Sequence, residues 1–169
     1  MTTVACKWTE LGWEAAGDTL VGGYACGIGG MRKLVKTPNG NLVGGSGDAG
    51  YVSKFLAWAK RDFRDGWVEG NETETTVDHA FVTFTVEGKP YVRIYEGKEV
   101  FDLQTPFYAL GSGRPMAIGA MVAGASVEDA VRIACQLDPN SGGEVIVEHH
   151  WGWVMLPQKL IDHTAIGLV

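Results

Sequence analysis

The sequence has few cysteines, no long apolar stretch and no excess of positive charge. Its three cysteines, Cys6, Cys26 and Cys135, are far apart and form no CxxC pair, which argues against a disulfide framework and predicts reduced thiols. No apolar run approaches the roughly 18 residues of a membrane span, and the first residues lack the apolar core of a signal peptide. The net charge of −6 disfavours nucleic acid and anionic membranes as partners. We therefore expect a cytoplasmic protein.

What remains is an ordinary globular composition. The chain has 169 residues, of which 46% are hydrophobic and 20% are charged, and it contains no repeat, linker or low-complexity segment. This length suits one domain, so we expect a single domain over residues 1–169. His149 and His150 are adjacent, but no carboxylate or third histidine lies at ligand spacing. The sequence therefore predicts no metal site.

The start of the chain holds a pattern with a chemical meaning. Threonine at position 2 is small enough for removal of Met1, and removal would leave Thr2 with a free α-amine. Such an amine has a pKa of roughly 7.7–8.0 in model peptides, so it is a base at neutral pH. A hydroxyl and an amine on one residue form a nucleophile with its own base. Many cytosolic chains begin with Met-Thr, so this pattern alone does not indicate a catalytic threonine. Residues further along the chain are needed to support that interpretation.

A hairpin is predicted over residues 31–45, and it holds an unusual lysine. The turn contains Asn39-Gly40, a strong hairpin signal. Strand alternation places Met31, Lys33 and Val35 on one face. A lysine between two apolar neighbours is either an edge-strand charge or a cation kept near a reaction centre. The residues alone leave both interpretations open.

Glycine clusters and apolar periodicity predict the other elements. Residues 22–30 hold five glycines and are predicted to form a loop, without the residue order of a phosphate loop. Residues 44–47 precede an amphipathic helix from Tyr51 to Phe63, whose first N–H groups are suited to holding an oxyanion. A helix over 115–123 is apolar on nearly every side, so we expect it to be well buried. Ser126 is predicted to cap a second helix, and residues 144–148 are predicted to form a strand.

The order of these features resembles the proteasome β-type threonine peptidases, and within them the short bacterial and phage forms related to the HslV peptidase. The residues that carry the resemblance are Thr2-Thr3, Gly17-Asp18, Lys33, the glycine-rich turn into a helix, Gly111-Ser112-Gly113, the paired helices and Asp138-Pro-Asn-Ser141-Gly-Gly. It covers most of residues 2–148, and the tail after Glu148 departs from the short forms. The fold implied by the resemblance is α+β, a four-layer αββα sandwich of two stacked antiparallel sheets flanked by helices.

The resemblance also implies a mechanism. Thr2 would be the nucleophile, and its amine would take the hydroxyl proton through a water. Lys33 would lie beside the hydroxyl as a cation, and Asp18 would hold that lysine charged, since a nearby opposite charge favours the ionised form. The three remaining matches, which place the amine and the water, are Ser112, Asp138 and Ser141. No metal or cofactor is needed.

Two further features of the implied site concern the substrate. The backbone N–H near Gly47 matches the family's oxyanion donor. Because other glycines lie nearby, the match fixes the donor only to Gly47 or an adjacent residue. Met31 and Val35 share a face with Lys33, and Ala49 begins the helix opposite. We therefore expect an apolar pocket beside Thr2.

The resemblance implies partners and leaves two alternatives open. It implies a peptide or unfolded protein as the substrate, self-association into stacked rings, and possible feeding by an ATP-dependent unfoldase. One alternative is an amidohydrolase of the same N-terminal-nucleophile type that acts on a small amide. The other is a catalytically inert ring or scaffold protein with the same fold. Retention of Met1 would make the enzyme inactive, because the nitrogen of Thr2 would then be an amide.

Overall fold

The elements of the fold are eleven strands and four helices within the described residues. The computed structural model describes residues 2–23, 26–64, 79–97 and 99–162, so Met1 lies outside the described residues. In chain order the elements are β1 (Val4–Thr9), β2 (Gly12–Asp18), β3 (Leu20–Gly23), β4 (Cys26–Gly30), β5 (Leu34–Lys36), β6 (Leu42–Ser46), α1 (Ala49–Lys60), β7 (His79–Val86), β8 (Lys89–Glu96), β9 (Glu99–Gln104), β10 (Phe107–Leu110), α2 (Arg114–Val122), α3 (Val127–Leu137), β11 (Val145–Trp151) and α4 (Gln158–Asp162).

The first sheet has the order β10-β1-β2-β11, with all pairs antiparallel. Helices α2 and α3 cover its outer face. The contact is built largely from small side chains, which allow helices to approach a sheet closely. The buried alanines of this contact are Ala5, Ala16, Ala109, Ala117, Ala130 and Ala134. Ser126 caps α3 as predicted, because its hydroxyl accepts a hydrogen bond from the N–H of Asp129 at 3.1 Å.

The second sheet has the order β5-β6-β7-β8-β9 and is also antiparallel. Helix α1 packs on its outer face through Phe55, Trp58 and Ala59, and Leu160 of α4 is buried in the same cluster. Asp48 is the N-cap of α1, since its carboxylate accepts a hydrogen bond from the N–H of Tyr51 at 3.0 Å.

The two large sheets stack face to face on a third apolar cluster. Trp13 from the first sheet and Phe81 from the second are fully buried there. The indole N–H of Trp13 donates to the carbonyl of Phe84 at 3.1 Å, so its polar atom is satisfied across the interface. The layers therefore follow the order helices, sheet, sheet, helix, and the predicted αββα sandwich is confirmed.

Several predictions about local structure were wrong, among them the ends of α1, which runs from Ala49 to Lys60 and so stops before Phe63. The glycine-rich segment forms the hairpin of β3 and β4, with a bulge between Val21 and Gly22, because glycine weakens a strand without preventing its ladder bonds. The strand after it begins at Leu34, so Met31 to Lys33 precede it. Helix α2 buries only Ala117 and Met121, because it contacts the fold on one side, and Val122 is 67% exposed.

The C-terminal segment packs across the sandwich. Strand β11 continues to Trp151, beyond the predicted end. The carbonyl of Val154 then accepts from the N–H and the hydroxyl of Thr85, and the N–H of Val154 donates to the same hydroxyl. The guanidinium of Arg93 donates to the carbonyl of Leu160. None of the helices in the described part of the chain is long and apolar enough to cross a membrane.

Candidate active site

The β1–β2 hairpin brings the start of the chain beside Asp18. Val4 pairs with Gly17 in the antiparallel ladder, and the pairing continues outward because the N–H of Asp18 donates to the carbonyl of Thr3 at 3.0 Å. Asp18 is the last residue of β2, so its side chain lies at the mouth of the sheet. A tight hairpin thus places a carboxylate against Thr2 and Thr3.

The Asp18 carboxylate collects four donors from three parts of the chain. Its Oδ1 accepts the hydroxyl of Thr2, the N–H of Thr3 at 3.1 Å and the ammonium of Lys33 at 2.9 Å. Its Oδ2 accepts the N–H of Gly142 at 2.9 Å. The side chain is fully buried, and a buried charge is tolerated only when it is paired and hydrogen-bonded. Asp18 is therefore the point at which the three segments are joined.

Lys33 is a buried cation and not a solvent-facing edge charge. Its side chain is 5% exposed, and its Nζ also donates to the carbonyl of Leu20 at 2.5 Å. Burial lowers the pKa of Lys33, and the neighbouring Asp18 carboxylate offsets part of that effect. The charge of the lysine therefore depends on Asp18.

A second carboxylate, Asp138, is held by a separate set of hydrogen bonds. The hydroxyls of Ser112 and Ser141 both donate to its Oδ2 at 2.6 Å, and Asn140 donates to its Oδ1 from the backbone at 3.1 Å and from the side chain at 3.3 Å. Burial acts to raise the pKa of Asp138, but these bonds outweigh it, so the pKa lies below its ordinary value. Asp138 is therefore held as an anion.

Thr3 connects the two carboxylates. Its backbone N–H donates to Asp18, as described above, and its hydroxyl lies 2.7 Å from the hydroxyl oxygen of Ser141. Thr3 is itself fully buried. Sequence reasoning did not single out Thr3 for a role, although strand pairing with Asp18 was a signal that would have found it.

The Gly111-Ser112-Gly113 loop is in direct contact with the first residues of the chain. Gly111 has a φ of +87°, and a Cβ there would lie 1.9 Å from the carbonyl oxygen of Thr2. A Cβ on Gly113 would lie 1.9 Å from the hydroxyl of Thr3. Both positions therefore require glycine, the first also for its backbone conformation. The loop places Ser112 against Asp138 while leaving room for Thr2 and Thr3.

Cys135 is a further residue near the two carboxylates. It is a free, half-buried thiol in α3, and burial raises its pKa to about 11. Asp18, Lys33 and Asp138 all act on it electrostatically. The thiol is therefore neutral near pH 7. Its position three residues before Asp138, on the same helical face, was the sequence signal for its proximity.

The predicted oxyanion and pocket residues lie around the start of α1. Gly47 lies between β6 and α1 with a φ of +117°, and Ala49 is the exposed first residue of the helix. Val35 is buried beneath α1, and Met31 packs against the edge of the same cluster. Lys33 does not share this environment, because its side chain contacts Asp18. The oxyanion donor and the pocket stay predictions.

One open cavity of about 440 Å³ is lined by Arg32, Val35, Lys36, Thr37, Pro38, Lys60 and Glu148. It includes Val35 of the predicted pocket, but neither Met31 nor Ala49 and none of the residues that join Thr2 to Asp18. No group of histidine, cysteine or carboxylate side chains in the described ranges could hold a metal ion. His149 instead stacks on Trp151, with ring centroids 4.8 Å apart.

Comparison with known proteins agrees with this architecture. The sequence matches no protein-family model and none of the curated proteins. The fold is similar to that of BPH from Thiobacillus denitrificans, solved in complex with epoxomicin, with a TM-score of 0.60, 18% identity, and coverage of 87% of this chain and 97% of that chain. It is also similar to HslV from Trypanosoma brucei, with a TM-score of 0.62, 18% identity, and coverage of 88% of this chain and 100% of that chain. The chain therefore has the HslV-like, proteasome β-type fold.

Proposed function

We propose that this protein is an N-terminal threonine peptidase that cleaves peptide bonds through an acyl-enzyme on Thr2. One observation carries the proposal: the Thr2 hydroxyl and the Lys33 ammonium meet at the same buried oxygen of Asp18. A purely structural ion pair needs no nucleophilic hydroxyl on the same carboxylate oxygen, and burial of a lysine–aspartate pair is weak evidence for stability because desolvation of the two charges is expensive. Perturbed, paired ionisable groups at one place are typical of functional sites.

In this proposal Thr2 supplies both the nucleophile and the base. In a chain that begins at Thr2, the free amine takes the hydroxyl proton, through a water, as the oxygen attacks the substrate carbonyl. The C–N bond of the substrate then breaks, and the amine returns the proton to the departing nitrogen. Water hydrolyses the resulting ester, which releases a carboxylic acid and restores Thr2.

Lys33 supplies electrostatic stabilisation to the same step. A fixed cation beside the hydroxyl favours the negative charge that develops on the threonine oxygen, and this effect is strong where water is excluded. Asp18 keeps the lysine charged, since burial alone lowers the pKa of Lys33. The developing oxyanion on the substrate is assigned to the backbone N–H of Gly47 at the start of α1.

The cluster around Asp138 is assigned to the amine. Ser112 and Ser141 each give their single proton to Asp138 at 2.6 Å, so their lone pairs remain as acceptors. An amine that donates its N–H groups to such oxygens is held with its own lone pair in a fixed direction. The Gly111-Ser112-Gly113 loop holds Ser112 on Asp138 and packs against Thr2 and Thr3, so it sets the distance between this cluster and Thr2.

We assign peptides and unfolded proteins as substrates, with self-association into rings. The likeness in fold to HslV supports self-association. Val122 and Leu137, the last residues of α2 and α3, are exposed apolar side chains available for contacts between subunits. An unfoldase partner and a cytoplasmic location belong to the same proposal. The pocket predicted beside Met31, Val35 and Ala49 is assigned to an apolar side chain of the substrate.

Peptide turnover tests the proposal against the fraction of chains that begin at Thr2. Activity should rise in proportion to that fraction, measured by intact mass on the same samples. Thr2→Ser should retain part of the activity because it keeps the hydroxyl and the amine, whereas Thr2→Ala should have none even after loss of Met1. Fully processed protein without turnover would leave the inert ring or scaffold protein as the better interpretation.

A further inference from the structure

Thr3 lies at the only covalent link between the nucleophile and the first sheet, and its hydroxyl has a single polar neighbour among the described contacts. That neighbour is the hydroxyl of Ser141, at 2.7 Å. Thr3 is fully buried, so no solvent competes for this bond. The loop facing it has glycine at position 113, where a Cβ would lie 1.9 Å from the Thr3 hydroxyl. Space for this hydroxyl is thus built into the opposite loop.

The direction of this bond follows from the number of protons available. Ser141 has one hydroxyl proton, and it goes to the Asp138 carboxylate at 2.6 Å, the stronger acceptor. Ser141 can then only accept from Thr3, so Thr3 is the donor. The second serine of the cluster, Ser112, likewise gives its proton to Asp138. The donors therefore run in one direction, from Thr3 to Ser141 and from Ser141 to Asp138.

We propose that Thr3 is a positioning residue: its hydroxyl donates to Ser141 and thereby fixes which hydroxyl lone pairs face the amino group of Thr2. This inference rests on the proposed function of Thr2. With the Thr3 bond in place, one lone pair of Ser141 is occupied, and Ser141 is polarised as a donor to Asp138. Without it, that lone pair is free to accept from an ammonium group, and Ser141 is a weaker hydrogen-bond donor to the Asp138 anion.

Loss of the Thr3 hydroxyl therefore favours the protonated amine. Among the described residues, the other titratable groups near Thr2 and Thr3 are Asp18 at the end of β2, Lys33 before β5, and Asp138 and Cys135 at the end of α3. None of them is changed by a substitution at Thr3. A change in the titration of the Thr2 amine can then be assigned to the altered hydrogen bonds.

The test uses chains that begin at Thr2, in the parent, Thr3→Val, Thr3→Ser and Thr83→Val. Thr83 is the matched control, since it is equally buried and its hydroxyl accepts from the N–H of Leu42 at 3.0 Å in the other sheet. Titration of the Thr2 amine is followed by the pH dependence of its modification, read by mass on the N-terminal peptide. This readout does not need turnover. Peptide hydrolysis then gives kcat and KM separately.

Thr3→Val should raise the midpoint of the amine titration by about 0.5–1 pH unit, as expected for one hydrogen bond. It should lower kcat by about tenfold while KM stays within about twofold. Thr3→Ser keeps the hydroxyl, so its amine titration midpoint and kcat should match those of the parent. Thr83→Val should leave both quantities unchanged. If Thr3→Val does not fold, the smaller Thr3→Ala replaces it.

The inference is overturned if the amine titrates alike in Thr3→Val and in the parent, if Thr3→Ser restores nothing, or if Thr83→Val gives the same shift. A parent chain that begins at Thr2 and hydrolyses no peptide contradicts the proposed function. In that case the amine titration alone decides the role of Thr3.

Discussion

Replacing Lys33 by methionine should separate its electrostatic role from its place in the core. Methionine keeps much of the length of the side chain and removes the charge. The Lys33 side chain is 5% exposed and its partner Asp18 is fully buried, and removal of one member of a buried pair typically costs about 3–5 kcal/mol. Asp18 retains donors from Thr2, Thr3 and Gly142. We therefore expect the lower end, a loss of about 3 kcal/mol in the free energy of unfolding.

The loss of activity in Lys33→Met should exceed what a smaller folded fraction can account for. At a temperature where Lys33→Met is still folded, hydrolysis should fall by at least about 10²–10³-fold, the effect of removing one preorganised electrostatic group. Lys33→Arg should also fail, because a planar guanidinium does not replace a compact ammonium. Lys36→Met is the matched control, since Lys36 is exposed and only donates to the carbonyl of His149 at 3.1 Å. It should keep full activity and change stability by less than about 0.5 kcal/mol.

A double-mutant cycle completes this prediction. Asp18→Asn combined with Lys33→Met should lose at least about 1 kcal/mol less than the sum of the two single losses, because contacting residues are coupled. Urea unfolding followed by fluorescence gives the four free energies. The reasoning is refuted if the two losses add within about 0.5 kcal/mol, or if Lys33→Met hydrolyses peptides at the parental rate.

The remaining predictions concern the loop, the second carboxylate and the pocket. Gly113→Ala should lose about 1–3 kcal/mol of stability by overpacking against Thr3, whereas Gly119→Ala, whose Cβ meets no atom within 4 Å, should gain about 0.5–1 kcal/mol; thermal unfolding of both variants decides this. Because the folded-state pKa of Asp138 is lowered, its contribution is complete above the unfolded pKa of about 3.9 and is lost as the pH falls through the folded value. Urea unfolding at a series of pH values from about 6 downward through the unfolded pKa of about 3.9 should show this acid loss in the parent and a smaller loss in Asp138→Asn. A fluorogenic panel should favour a large apolar residue before the cleaved bond, and a preference for acidic peptides would contradict the assigned pocket.

The residues alone predicted individual turns and helix starts, because these patterns follow local rules. Asn39-Gly40 marks the turn between β5 and β6, and Ser126 marks the start of α3. These signals depend on backbone conformation and capping, which a short segment decides by itself. The αββα arrangement came from the resemblance and is confirmed by the packing.

The errors in the fold arose where tertiary contacts outweigh local preference. The glycine-rich segment forms the β3–β4 hairpin although glycine is a poor strand residue. Strand β5 begins three residues later than predicted, because Met31 donates its N–H to the carbonyl of Thr19, and Lys33 turns toward Asp18. Neither partner lies near in sequence.

The site could be predicted only in part for a similar reason. The resemblance pointed to residues from five segments, and the structure brings six of them, Thr2, Asp18, Lys33, Ser112, Asp138 and Ser141, into two hydrogen-bonded clusters. Thr3 links the clusters; it was part of the Thr2-Thr3 match but was given no role of its own. Its contacts with Ser141 and Gly113 join residues far apart in sequence, so only the structure shows them.

Covalent labelling of Thr2 tests the central claim most directly. Epoxomicin is bound in the structure of BPH, a protein of the same fold, and it is the probe for a chain that begins at Thr2. Intact mass should show one adduct per chain, and fragmentation should place it on Thr2. Chains that retain Met1, and Thr2→Ala chains without it, should stay unlabelled. Fully processed protein that carries no adduct on Thr2 would contradict the proposal that Thr2 is the nucleophile.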